Sequence, residues 1–237
     1  MAEPTRQLSA SLDELTKFLV GDQTMGATLQ RIAELGEAAI DGAHLTGLTL
    51  LTKEGHPTTA VCTDPDTPSL DAIQYESGDG PCLTAFREMR VVSVPEMKAN
   101  TRWPEVTERA SHKGVHSSLS APLVVDDKGI GAVNFYSRTP HGFTDDDEET
   151  AQTFGLHAAV VLANAQAYWS ACELSEQLQQ AMVSRAEIEQ AKGVLMGQSG
   201  LTSEEAFELL KRASQREIRK LREIAGEIVR RAQERRR

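Results

Sequence analysis

Apolar positions along the chain change rhythm several times. Leu8, Leu12, Leu15 and Leu19 recur at intervals of three and four and predict a short helix closed by Gly21-Asp22, with residues 1–7 as a loose tail. A second helix follows, with Leu29, Ile32, Ala33, Leu35, Ala39 and Ile40 as core candidates. From Leu45 to Lys53 the period falls to two: Leu48 and Leu50 share one face, Leu45 and Leu51 the other, as in a strand. Glu54-Gly55-His56 turns the chain into a second strand, Thr58 to Thr63, completing a hairpin. Asp64-Pro65-Asp66-Thr67-Pro68 is a break, and a helical piece leads to Gly78-Asp79-Gly80-Pro81-Cys82. Proline suits the first position of a helix, which continues through Leu83, Phe86 and Met89. Val91 to Val94 is a short strand, and a loop to Arg102-Trp103-Pro104 precedes a helix ending at His112-Lys113-Gly114. Ser117 to Val125 and Ile130 to Ser137 are strands joined by Asp126-Asp127-Lys128-Gly129. This order predicts an antiparallel sheet covered by helices, an α+β domain.

The last third is helical throughout. Asp145 to Met196 contains no proline and only two glycines, Gly155 and Gly193. Phe154, Ala158, Val161, Ala165, Tyr168 and Cys172 step by four and three, the spacing of a coiled-coil seam. After Cys172 the seam moves to Leu174, Leu178 and Ala181, which fits a transmitter with two packings and equally a plain dimer stalk. Ile188, Ala191 and Leu195 then line one side, and Gly197-Gln198-Ser199-Gly200 ends the helix. Thr202 and Glu205 form a capping box for a second helix with Ala206, Leu209, Leu210 and Ala213 on its apolar face and Phe207 beside it. Leu221, Ile224, Ala225, Ile228 and Val229 mark a third. A piece this small buries little surface alone, which favours a homodimer.

Composition refines the picture. The 237 residues are 40% hydrophobic and 25% charged, the make-up of a globular chain with room for one large domain or two smaller ones. The net charge of −10 is unevenly spread: from Ser184 onward there are 13 Lys/Arg against 9 Asp/Glu, and before it 12 against 26. Any nucleic-acid contact therefore belongs at the C-terminal end. The terminal Arg-Arg-Arg adds nonspecific attraction at most. Three cysteines, no signal-peptide pattern and no apolar run near eighteen residues point to a cytoplasmic protein.

Candidate chemistry is sparse. Cys82 falls in the first turn of a helix, where partial positive charge lowers a thiol pKa; the competing reading is simple packing, since free cysteine is among the most buried residue types. His112 and His116 are separated by Gly114 and joined by no further Cys/His cluster, so no metal site is expected. Phe86, Trp103, Phe135 and Tyr136 can line a ligand cavity or fill a core.

Two resemblances give these patterns names. Ile188-x-Gln190-Ala191-Lys192-Gly193-x-Leu195-Met196, Ser203-Glu204-Glu205-Ala206-Phe207, Ser214-Gln215 and Lys220-Leu221-Arg222-x-x-Ala225 closely resemble an ANTAR domain. That resemblance implies binding to hairpin RNA of a nascent leader, typically a tandem pair, and transcription antitermination. Arg185, Lys192, Lys211, Arg212, Arg219, Lys220 and Arg222 are the expected RNA contacts, since basic side chains on exposed helix faces meet phosphates and looped-out bases. Ile218 stands where the ANTAR family often has Asn, a residue that could cap the third helix or touch RNA.

Gly78-Asp79-Gly80-Pro81-Cys82-Leu83-Thr84-Ala85-Phe86, Arg102-Trp103-Pro104, Gly114 to Leu123 and Gly131 to Ser137 resemble a GAF domain, the small-ligand sensor fold. They look like the GAF half of actinobacterial GAF–ANTAR regulators. Cys82, Phe86, Trp103, Asn134 and Tyr136 are the candidate pocket residues, for a small molecule or cofactor whose identity stays open. Phe143-x-x-x-Asp147-Glu148 and Asn134 fit a cyclic-nucleotide signature, but Phe135 replaces its Lys, so the signature is incomplete. The expected division is an N-terminal tail and helix (1–23), a GAF domain (24–168), a coiled-coil connector (169–183) and an ANTAR domain (184–237). The principal reading is a signal-responsive RNA-binding regulator and not an enzyme. Its rivals are a GAF-fold thiol enzyme resembling methionine sulfoxide reductases, with Cys82 as nucleophile, and a regulator whose last domain only dimerises.

Overall fold

The computed structural model describes residues 3–17, 24–52 and 54–234. Leu19, Gly21-Asp22, Lys53 and the terminal arginines lie outside the described residues. The chain forms two units, Met1–Trp169 and Ser170–Arg237.

In the first, α1 (Glu3–Lys17), α2 (Met25–Ala39), β1 (Leu45–Leu51), β2 (Pro57–Cys62), α3 (Thr67–Ser77), α4 (Pro81–Glu88), β3 (Val92–Val94), α5 (Pro104–His112), β4 (Ser117–Val125) and β5 (Lys128–Ser137) lead into α6 (Asp145–Ser199). The five strands form one antiparallel sheet in the order β2-β1-β5-β4-β3. Adjacent residues of a strand point to opposite faces, so Leu48 and Phe135 enter one core while Leu45 and Tyr136 enter the other. The first core is closed by α2 and by Phe154, Ala158 and Leu162 of α6. The second is closed by Leu70 and Ile73 of α3, Ala85 of α4, and Trp103, Val106 and Ala110 at α5. Both faces are covered, so residues 117–123 of β4 and 131–137 of β5 are buried throughout, their serines and Asn134 included.

Three local expectations are corrected. The first helix begins at Glu3 and does not follow a seven-residue tail. The β4–β5 hairpin turns on Asp126 and Asp127, both at positive φ (49° and 57°), so β5 starts at Lys128, two residues before Ile130. Consecutive left-handed residues match the twist of an antiparallel pair, and aspartate tolerates that region. Phe154, Ala158 and Ala165 are fully buried within the first unit and Val161 packs on the same core. Their four–three spacing seats α6 in its own domain's core, with Phe154 against Gly36 of α2, instead of along a second copy of the helix; either partner demands the same periodicity.

The second unit comprises the end of α6, α7 (Ser203–Glu217) and α8 (Leu221–Glu234). Ala191, Leu210, Ile224 and Ala225 are its buried centre, with Ile188, Leu195, Ala213, Leu221, Ile228 and Val229 packed around them. The capping box forms as expected: Thr202 Oγ1 accepts from the Glu205 N–H, and the Thr202 N–H donates to Glu205 Oε2 at 2.8 Å. Leu209, expected on the buried face, is exposed, because Leu210 and Ala206 already fill the small core. Ile218 caps α7 in the left-handed region (φ 52°, ψ 42°), a conformation that costs a residue with a β-carbon about 1–2 kcal/mol and that asparagine or glycine adopts readily.

Close approach of β1 to α3 depends on Gly47. A β-carbon there would stand 2.7 Å from Thr67 Cγ2 and 2.9 Å from Asp71 Oδ2, both on buried side chains with no room to retreat. Gly47→Ala is expected to lower stability by about 1–3 kcal/mol, measured by urea unfolding of the GAF transition; an unchanged midpoint would refute that packing.

Candidate functional site

Between the sheet and α3–α4 lies a cluster of buried polar side chains. It is assembled by register. Gly47 opposes Asn134, and an irregularity after Leu48 sets Thr49 opposite Thr59 where regular pairing would bring Ala60. A bulge of this kind re-aims side chains, and both threonine hydroxyls meet Tyr75 Oη, at 2.8 and 3.1 Å. On α3, Thr67, Leu70, Asp71 and Gln74 are all buried and share one side of the helix. Gly80 (φ 155°) leads into α4 with its α-carbon against Gln74, where a β-carbon would fall 2.5 Å from Gln74 Oε1. The same oxygen accepts from the Cys82 N–H at 2.8 Å, closing the start of α4 onto α3.

Asp71 is the centre. Its carboxylate is fully buried and accepts hydrogen bonds from Tyr136 Oη (2.5 Å), Thr59 Oγ1 (2.8 Å) and Asn134 Nδ2 (3.3 Å). Asn134 Nδ2 also reaches Cys82 Sγ at 3.1 Å and Thr49 Oγ1 at 3.0 Å, while its Oδ1 is buried without a hydrogen-bond partner among the described residues. Burial raises the Asp71 pKa to about 6, opposed by the three donors that favour the charged form. The Cys82 thiol is pushed up to about 12, first by burial and then by the Asp71 charge. Tyr136 is raised well above the usual phenol range by the same two causes, in the same order. The expected lowering of the Cys82 pKa by its helix position is therefore reversed: loss of water and a neighbouring carboxylate outweigh the partial charge of one short helix.

The structure thus brings together Cys82, Asn134 and Tyr136 of the sequence-derived set. Trp103 shares an apolar cluster with Tyr136 but is covered on its far side by the Arg102 guanidinium, 4.5 Å from the ring centroid. Phe86 lies against Gly129 at the β4–β5 turn and takes no part in the polar cluster. Thr49, Thr59, Asp71, Gln74 and Tyr75 were not singled out from the sequence. Their signal is the i, i+3, i+4, i+7 stripe Thr67, Leu70, Asp71, Gln74, in which polar residues occupy core positions. Among the described residues no group of three or more His, Cys, Asp or Glu is arranged to hold a metal.

In the second unit the seven basic candidates divide in two. Lys192 pairs with Glu189 (2.9 Å) and Lys211 with Glu208 (3.3 Å), while Arg219 is shared among Glu217 (3.2 Å), Glu223 (3.8 Å) and Glu227 (2.9 Å). Arg185, Arg212, Lys220 and Arg222 form no ion pair among the described residues and are exposed.

A GAF domain family model matches residues 22–163 and an ANTAR domain model residues 176–229. The chain belongs to the GAF–ANTAR regulators. Solved structures similar to the GAF–ANTAR chain share its sensor fold at low identity. One is a free methionine-R-sulfoxide reductase from Neisseria meningitidis (17% identity, 71% of this chain and 95% of that one, TM-score 0.55). Another is the GAF domain of a phosphoenolpyruvate-protein phosphotransferase from Coxiella burnetii (15%, 71% and 99%, 0.53). A third is the fRMsr of Staphylococcus aureus in its reduced form (21%, 68% and 96%, 0.51). No curated protein matches. No described helix is long and apolar enough to cross a membrane.

Two outcomes test the cluster. The folded-state pKa of Asp71 lies above its ordinary value of 3.8, so its contribution to stability is full below pH 3.8 and is lost as pH rises through about 6. Relative to Asp71→Asn, the wild-type GAF domain is expected to lose on the order of 3 kcal/mol between pH 4 and pH 7, read from urea unfolding at each pH; parallel profiles would show that Asp71 does not titrate there. In native protein at pH 8, Cys62 and Cys172 are expected to react with a thiol reagent while Cys82 reacts only on unfolding; prompt labelling of all three would contradict its burial.

Proposed function

We propose that this GAF–ANTAR protein binds hairpin RNA of a nascent leader in the cytoplasm and antiterminates transcription as a homodimer, with its GAF domain responding to a small molecule. The observation that carries the reading is the set of unpaired basic side chains Arg185, Arg212, Lys220 and Arg222 on a three-helix unit matched by the ANTAR model. Phosphates are met by charges not already neutralised within the protein, so these four are assigned to RNA ahead of Lys192, Lys211 and Arg219.

Dimer formation is supported by apolar side chains of α6 that stay exposed among the described residues. Leu156 and Val160 are exposed in the first unit, and Leu174, Leu178 and Met182 in the second. In the second unit Leu174, Leu178 and Ala181 retain the coiled-coil spacing expected from sequence. A second copy of the chain, with the same stripe, is the partner this pattern suits.

The thiol-enzyme alternative finds less support. A catalytic cysteine works as an accessible thiolate, whereas Cys82 is wholly buried, protonated at neutral pH and bonded to Asn134 and Thr49. The reductases among the structural neighbours share the fold at 17% and 21% identity, which speaks to architecture only.

A salt-titrated binding assay with a tandem-hairpin RNA tests the assignment. Lys220→Ala with Arg222→Ala is expected to weaken binding and to reduce the log–log salt slope by about 0.7–0.9 for each phosphate no longer neutralised. Lys211→Ala, whose charge is held by Glu208, is expected to change the slope little. Unchanged affinity and slope in the double variant would remove those two residues from the interface.

A further inference from the structure

The turn between α7 and α8 is held from both sides. The N–H groups of Ile218 and Arg219 both donate to the Ser214 carbonyl, and Ser214 Oγ donates to the Arg219 carbonyl at 2.5 Å. The Arg219 guanidinium is fastened to Glu217 and Glu227, and the Glu223 N–H donates to the Lys220 carbonyl as α8 begins. At the apex of this fixed turn stands Ile218, a β-branched residue in the left-handed region and 94% exposed, more than any other large apolar side chain among the described residues.

Neither feature is compensated among the described residues. The strained backbone could be relieved by asparagine or glycine, and the side chain buries no area to offset its exposure to water. A strained, over-determined position with an unused apolar side chain is a reason to look for a partner outside the chain. The surroundings indicate which kind. Arg212 and Arg216 precede Ile218 and Lys220 and Arg222 follow it, all exposed, and Arg212, Lys220 and Arg222 carry unpaired charge. An apolar tip between cationic groups is complementary to an unstacked base flanked by its phosphates.

We propose that Ile218 is an RNA-contacting specificity residue, packing on the face of a looped-out base while the neighbouring basic side chains hold the phosphates on either side. The inference rests on the RNA-binding reading and adds to it a residue that carries no charge. Because the interaction is apolar, removing it changes affinity without changing counterion release, unlike the removal of Lys220 or Arg222.

Full-length wild type, Ile218→Asn and Ile218→Val are to be compared against a tandem-hairpin RNA and the same stems closed by replaced loops, with unfolding midpoint and dimer mass recorded for each. Ile218→Asn is expected to unfold at a higher midpoint than wild type, to remain dimeric, and to bind the RNA roughly tenfold more weakly at an unchanged salt slope. Ile218→Val is expected to bind within about twofold of wild type because it keeps an apolar face. Equal binding by Ile218→Asn and wild type would overturn the contact while leaving the RNA reading intact. Dissociation of the Ile218→Asn dimer would assign the side chain to a second copy of the chain and also overturn it. Absence of RNA-selective binding by wild type would overturn the RNA reading, and this inference with it.

Discussion

A buried carboxyl without a cation, Asp71, is the constraint around which the sensor domain is arranged. Taking such a group out of water costs several kcal/mol unless donors replace the lost solvent. Here they come from three strand residues, Thr59 on β2 and Asn134 and Tyr136 on β5, so the Asp71 carboxyl joins α3 to the sheet, and does so at least cost when it carries a proton. The bulge beside Thr59, the bare α-carbon of Gly47 and the Gln74 contact to α4 are the local arrangements that let it be reached. Three donors do not restore full hydration, which is why its pKa still rises. Any agent that changes the charge or the partners of Asp71 acts on β2, β5 and α3 at once. That is a useful property at the centre of a sensor fold.

Much of the fold is legible in the sequence because its signals are local. The Thr202/Glu205 box, Pro81 at the start of α4 and the apolar alternation of β1 each need only a few neighbouring residues to be recognised, and each forms where expected. What a local pattern does not contain is the identity of the partner. Phe154 and Ala158 satisfy a coiled-coil seam and a core-facing stripe equally well; only the tertiary fold decides between them, and it places them in the core of their own domain. Leu209 fails for the same reason, since a three-helix core of this size has no space for every apolar residue near its stripe.

The candidate site is less legible, and the cause is again physical. Apolar patterning locates a core but treats a polar residue within the stripe as an interruption, so Asp71 and Gln74 pass unnoticed although they sit at core positions of α3. The aromatic residues are easier to notice and less informative: Trp103 fills a core, and Phe86 packs beneath a hairpin turn. Cys82 shows the limit of reasoning from one effect. A helix terminus lowers a thiol pKa by a modest partial charge, whereas complete burial beside a carboxylate raises it much further.

In the C-terminal half, net charge is a poor measure of what a nucleic acid would meet. Counting residues makes Arg219 equivalent to Arg222, yet Arg219 serves as the internal fastener of the α7–α8 turn, its guanidinium divided among glutamates of α7 and α8. Removing it would loosen the turn that displays Ile218, so weaker binding by an Arg219 variant would not by itself identify a phosphate contact. Arg222, exposed and without an ion pair among the described residues, carries no such internal duty, and a change there would report on the proposed interface more directly. The glutamates that reduce the net charge of this unit therefore have a mechanical part: they hold Arg219 in place and with it the turn from which the neighbouring side chains project.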